Sequence, residues 1–144
     1  MKINTKTRYG LQLMLNLALW YGKGPLLLGE VAKRENISEK YLSQIIIPLK
    51  GAGFVTSLRG AKGGYLLAKA PDRITIRVLV EVLEGGFSFV NKNERTSSGL
   101  LSLTIEREVW QRLEKKVLET LSSITLQDLV VKYKQEKNVI MYNI

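Results

Sequence analysis

The chain has 144 residues, 45% of them hydrophobic and 24% charged, with a formal net charge of +9 and neither cysteine nor histidine. That length supports one compact domain with room for a dimerising extension. The missing residue types exclude disulfides, thiol nucleophiles, imidazole-centred acid–base chemistry and the usual zinc ligand sets, so no cofactor is expected. Leu11 to Trp20 is too short for a membrane span or a signal peptide and is interrupted by Gln12 and Asn16, which predicts a cytoplasmic protein.

Thr5 to Tyr21 reads as a first helix. Tyr9, Leu13, Leu17 and Trp20 form one stripe, and Met14, Leu15, Ala18 and Leu19 widen it. Such breadth suggests burial both against the chain's own domain and against a partner subunit, with Leu13 and Leu17 at the dimer interface; ordinary core is the alternative. Lys2, Lys6 and Arg8 at its start are placed to touch phosphates. Gly22 to Pro25 breaks the helix, and Leu28 to Glu35 forms a second, with Val31 and Ala32 inward and Lys33 and Arg34 outward.

Ser38 is the expected N-cap of a third helix that begins at Glu39. Leu42, Ile45, Ile46 and Leu49 recur at core spacing, which leaves Glu39, Lys40, Tyr41, Ser43 and Gln44 as an outward polar set able to read base edges. Pro48 marks the last turn. Phe54 to Leu58 and Tyr65 to Ala68 read as two short strands around a Gly-rich tip that carries Arg59 and Lys62. A polar reading helix followed at once by a basic hairpin is the layout of a winged helix-turn-helix: the helix enters the major groove, and Arg59 is suited to a narrow minor groove. A solvated wing charge is the alternative for Arg59. Gly60, Gly63 and Gly64 serve tight backbone geometry, since no helix N-terminus follows to hold a phosphate.

Ile74 to Glu84 predicts a further helix, Gly85 to Ser98 an irregular segment, and Leu100 to Leu121 a long helix with Trp110, Leu113, Val117 and Leu121 on one narrow seam flanked by charge. That seam suits helix-to-helix dimer packing. Thr125-Leu126-Gln127-Asp128 predicts a capping box that opens a last helix through Tyr133 or a little beyond. Residues 138–144 read as a strand or arm tucked against the dimer. The acids Glu81 and Glu84, and Glu106 and Glu108, read as solvated helix charges, and no nucleophile is paired with a base, so no enzyme is expected.

Charge follows this division. Lys and Arg outnumber acids 13 to 6 from Met1 to Glu84, but only 9 to 7 from Gly85 to Ile144. The positive excess sits with the reading head, where phosphate neutralisation would need it.

Tyr41-Leu42-x-Gln44, Ala52-Gly53-Phe54-Val55, Ser57-Leu58-Arg59-Gly60, Gly63-Gly64-Tyr65 and Leu83-Glu84-Gly85 resemble the Rrf2 family of bacterial transcriptional regulators, as does the opening Met1-Lys2-Ile3-x-Thr5-Lys6-x-Arg8-Tyr9-Gly10-Leu11. The far end, from Trp110 through Asp128-Leu129, is most similar to the cluster-less cysteine-metabolism repressor branch. The resemblance implies a mainly α fold with a small β wing: residues 1–84 as the DNA-binding domain, its first helix also at the dimer interface; 85–98 as a loop; and 99–144 as dimerisation helix and C-terminal tail. It implies DNA contact through Ser38, Lys40, Tyr41, Ser43 and Gln44. It also implies a homodimeric repressor on a pseudo-palindromic operator, with sulfur or cysteine genes as targets. Cluster-bearing members hold iron–sulfur through three cysteines in the neighbourhood of residues 85–98, and this chain has none to offer. In the cysteine-metabolism branch cysteine synthase is a partner, so Tyr142, Asn143 and Ile144 are expected partner-binding residues, with Ile144 as a terminal carboxylate to be captured. A protein-interaction adaptor on the same scaffold is the alternative class.

Overall fold

The computed structural model describes residues 2–88 and 99–143. The expectations that fall on residues 89–98 and on Ile144 lie outside them. Helix α1, Thr5–Leu19, is capped by Asn4, whose Oδ1 accepts from the Thr7 N–H at 2.8 Å. Its apolar breadth is used within the protomer, because α1 packs on the second, third, fourth and last helices and on the second strand. Leu13 and Leu17 are therefore 0% and 3% exposed. Expected at the dimer interface, they belong to the protomer core and have no surface left to offer a second subunit.

Helix α2, Leu28–Glu35, starts without a side-chain cap at Leu27 and stops at Asn36, which takes the left-handed conformation at φ 54°. Helix α3, Glu39–Gly51, opens on Ser38, whose hydroxyl accepts from the Tyr41 N–H, and buries Leu42, Ile45, Ile46 and Leu49 as the periodicity requires. Pro48 is accommodated one turn from its end, where a proline withdraws a single hydrogen bond from the ladder.

Strands β1, Val55–Leu58, and β2, Gly64–Leu67, pair antiparallel, with Val55 opposite Leu67 and Leu58 opposite Gly64. Leu26 adds a one-residue third strand: it and Tyr65 exchange both backbone hydrogen bonds at 2.9 Å. Gly64 sits where this edge closes, at φ 146°, and a Cβ there would lie 2.8 Å from the Leu26 carbonyl oxygen. Only glycine fits.

A short 3-10 turn, Pro71–Arg73, leads to α4, Ile76–Glu84, capped by Thr75. The helix starts two residues later than Ile74 because the preceding backbone is engaged elsewhere. Leu126 donates its N–H to the Ile74 carbonyl at 2.9 Å, and Ile76 donates to the Ile124 carbonyl at 2.8 Å. This bridge ties the base of the wing to the C-terminal segment.

Helix α5, Leu100–Ile105, runs through a π-helical turn, Glu106–Trp110, into α6, Gln111–Ser122, so the long helix is continuous but not regular. None of its side chains is fully buried. Helix α7, Leu126–Tyr142, opens on the expected Thr125–Asp128 capping box and passes well beyond Tyr133. Residues 138–142 are thus helical rather than a strand or arm. Leu126 and Val130 enter the same core as α1 to α4, so that core crosses the boundary expected at residue 84. Among the described residues no helix is long and apolar enough to cross a membrane.

Candidate nucleic-acid interface

The capped start of α3 leaves Ser38, Glu39, Lys40, Ser43 and Gln44 exposed on one edge. Tyr41 is half-buried, its ring edge-on to Tyr9 with centroids 5.8 Å apart, so the ring is held in packing while its position stays at the face. Ser43 Oγ donates to the Glu39 carbonyl at 2.9 Å, which fixes its rotamer and leaves its lone pairs to accept. Glu39 is aimed differently from its neighbours. A Cβ built on Gly29 would lie 3.4 Å from Glu39 Oε2, which puts this carboxylate beside the first turn of α2, where a negative charge is favoured.

Thr5 and Tyr9 from α1 border a cleft of about 620 Å³ with Ser38, Lys40, Tyr41 and Gln44. The start of the first helix and the start of the reading helix therefore share one surface. Ile47, 67% exposed, continues the line of Lys40 and Gln44 by helical spacing. Sequence reading passed over it because an apolar residue in an amphipathic helix is assigned to the core; the signal was its place one residue off the Leu42–Ile45–Ile46–Leu49 face.

At the wing, Arg59 and Lys62 are exposed on the loop between β1 and β2. Lys50 Nζ donates to Ser57 Oγ at 2.8 Å and ties the end of α3 to the wing. The ion pairs among the described residues are Arg77–Glu81, Arg112–Glu108 and Lys116–Glu119. None draws on Lys40, Arg59 or Lys62, so the charge of this face is left for an anion.

Two polar clusters hold the scaffold, and neither was legible as such. Buried Asn16 donates to Glu35 Oε1 at 3.0 Å and to the Gln12 carbonyl at 2.9 Å, and accepts from Arg34 Nη1 at 3.0 Å, which pins α1 to the end of α2. Arg34, expected simply outward, is part of this joint. Glu84 accepts from the Asn4 N–H at 2.9 Å, Asn4 Nδ2 at 3.1 Å and Thr7 Oγ1 at 2.7 Å. Glu84 is thus a clasp rather than a solvated charge, and Glu81 is paired with Arg77.

Away from this face, Trp110 and Leu113 are each 43% exposed, Val117 and Leu121 are half-buried, and Leu100, Leu101, Leu103, Ile105 and Val109 are all exposed. At the far end of α7, Tyr142 is 93% exposed and Asn143 is exposed.

A capped reading helix, a basic two-stranded wing and a helical support define a winged helix-turn-helix DNA-binding protein. The chain belongs to the Rrf2 family: the family model described as an iron-dependent transcriptional regulator matches residues 3–132. It is 43% identical to the HTH-type transcriptional regulator CymR of Bacillus subtilis over the whole of both chains. The solved structure of CymR (YrzC), the global cysteine regulator of B. subtilis, superposes with a TM-score of 0.80 at 44% identity, covering 92% of this chain and 98% of that one. The T. potens IscR structure gives 0.77 at 38% identity, covering 94% and 90%. The chain is a DNA-binding transcriptional regulator and not an enzyme.

The iron in the family's description does not fit this chain's donor set. With no cysteine and no histidine anywhere, no thiolate or imidazole is available to ligate iron or a cluster. Among the described residues no group of three or more acids is placed to hold a metal ion either.

Proposed function

We propose that the chain is a homodimeric repressor that binds a pseudo-palindromic operator without an iron–sulfur cluster, and that its targets are genes of cysteine or sulfur metabolism. The observation that carries this reading is the wing with unneutralised Arg59 and Lys62, tied through Lys50–Ser57 to the exposed polar edge of α3. In the complex, the start of α3 enters the major groove. Gln44 pairs with adenine, Ser38, Lys40 and Ser43 serve bases or phosphates, Tyr41 reaches phosphate through its hydroxyl, and Ile47 meets a thymine methyl. Glu39 acts at the same edge by accepting from a cytosine amino group or by holding α2 in place. Lys2 and Lys62 neutralise backbone phosphate, and Arg59 enters the minor groove.

The dimer forms through Trp110, Leu113, Val117 and Leu121, because so large an exposed apolar surface calls for a partner. In this division residues 1–84 read DNA, 85–98 connect, and 99–144 assemble the dimer, with the first turns of α7 buttressing the head. The sulfur assignment rests on the likeness to CymR. On the same likeness, a cysteine synthase would dock at the end of α7, where Tyr142 and Asn143 project. Repression follows from occupancy: a dimer seated on a promoter excludes polymerase.

Selection of bound duplexes from a random pool tests this directly. The expected consensus has two inverted half-sites about one helical turn apart. Enrichment of a single half-site, or of none, would contradict it. An adaptor with mainly apolar contacts would enrich nothing and would bind its partner with little dependence on salt.

A further inference from the structure

Glu84 lies at the end of α4, 80 residues from its clasp partner Asn4, and no part of the DNA-binding face contains it. Its two carboxylate oxygens accept three hydrogen bonds, from the backbone and side chain of Asn4 and from buried Thr7. Asn4 in turn caps α1 through the Thr7 N–H. One turn further on, Gly10 lies so close to Leu83 that a Cβ there would meet Leu83 Cδ1 at 2.5 Å. The first turns of α1 are thereby locked on the last turn of α4. The same first turn contributes Thr5 to the cleft shared with Ser38, Lys40 and Gln44. Lys2, exposed and without an ion-pair partner among the described residues, stands two residues before Asn4.

We propose that Glu84 is a positioning residue for DNA binding: it fixes Asn4, and through Asn4 it sets the segment carrying Lys2 beside the reading helix so that Lys2 meets a backbone phosphate. Without the clasp Asn4 keeps its cap on α1, but the Asn4 N–H loses its acceptor and the residues before it lose their tie to α4. A lysine on a loose segment spends its charge on many orientations, and the phosphate contact is lost as an ordered one. The hydrogen bonds of Glu84 run to Asn4 and Thr7 and to no residue of the base-reading edge of α3, so the clasp acts first on charge placement. This inference rests on the DNA-binding reading above.

The test is a double-mutant cycle read through salt. Affinity for a selected operator duplex is measured across a salt series for wild type, Lys2→Ala, Glu84→Ala and the double variant, with Arg59→Ala alongside. Each phosphate contact contributes roughly 0.9 to the log–log slope. Lys2→Ala is expected to lower the slope by about that amount in wild type and to change nothing in the Glu84→Ala background. Loss of global stability alone would leave the Lys2 effect intact. Glu84→Gln, which sets an NH₂ against Asn4 Nδ2, serves if Glu84→Ala does not fold, and is expected to shrink the Lys2 effect. An equal Lys2 effect with and without the Glu84 substitution overturns the proposal, as does a silent Lys2→Ala where Arg59→Ala weakens binding. If Arg59→Ala is silent as well, the DNA-binding reading itself has failed.

Discussion

Ser38, Asn16 and Gly64 each do one physical job, and each job sets a measurable cost. Removing the Ser38 hydroxyl leaves an amide of the first turn of α3 without its acceptor, so Ser38→Ala is expected to cost about 1 kcal/mol, while Ser38→Gly costs only a few tenths. Thermal unfolding of the pair checks the order; equal midpoints would mean the cap contributes nothing. Asn16→Ala removes the three hydrogen bonds that pin α1 to the end of α2, but Gln12 and Arg34 are exposed and can turn to water, so a loss of about 1 kcal/mol is expected in denaturant melts. Gly64→Ala combines a strained φ with a clash against the Leu26 backbone, so it should open the wing edge and lower DNA affinity as well as stability. At this scale the sequence was informative where chemistry is local. Ser38 and Thr125 declare themselves as caps by residue type and spacing. Asn16 and Glu84 do not, because the side chains they join lie 18 to 80 residues away and only the fold brings them together.

Among the elements, α2, α3 and the two strands lie close to where periodicity puts them, since each is defined by a clear apolar face and a cap, a glycine or a turn. The differences arise where a distant element decides. Ile74 reads as helix but is taken by the bridge to Leu126, and Leu13 and Leu17 are covered by helices whose approach no local pattern announces. The end of α7 was misjudged because Val139 and Ile140 favour strands in isolation, whereas no proline or glycine after Asp128 stops the helix. The π-helical turn Glu106–Trp110 has no signature in the pattern at all; it re-aims the residues that follow it. The exposed face of α5 and α6 carries the element-scale prediction. Leu113→Glu should convert a dimer to monomer in sedimentation equilibrium with the far-UV helix signal retained, because Leu113 supports no core. A variant that remains dimeric would place the interface elsewhere.

For the whole molecule, on the function proposed above, the basic excess of residues 1–84 serves phosphate and the exposed apolar side chains between Leu100 and Leu113 serve a second subunit, while one core runs from α1 into α7. The helix proposed for the dimer is physically continuous with the reading head: α6 packs on α4, and the Ile74–Leu126 bridge joins the wing base to α7. On the proposed function this surface binds operator DNA through α3 and Arg59. The most direct measurement is the affinity of wild type and Arg59→Ala for an operator duplex and a scrambled duplex across a salt series. Wild type is expected to prefer the operator, affinity to fall steeply with salt for both duplexes, and Arg59→Ala to weaken binding and lower the log–log slope by roughly 0.9. Equal binding of both proteins to both duplexes, or affinity indifferent to salt, would contradict it.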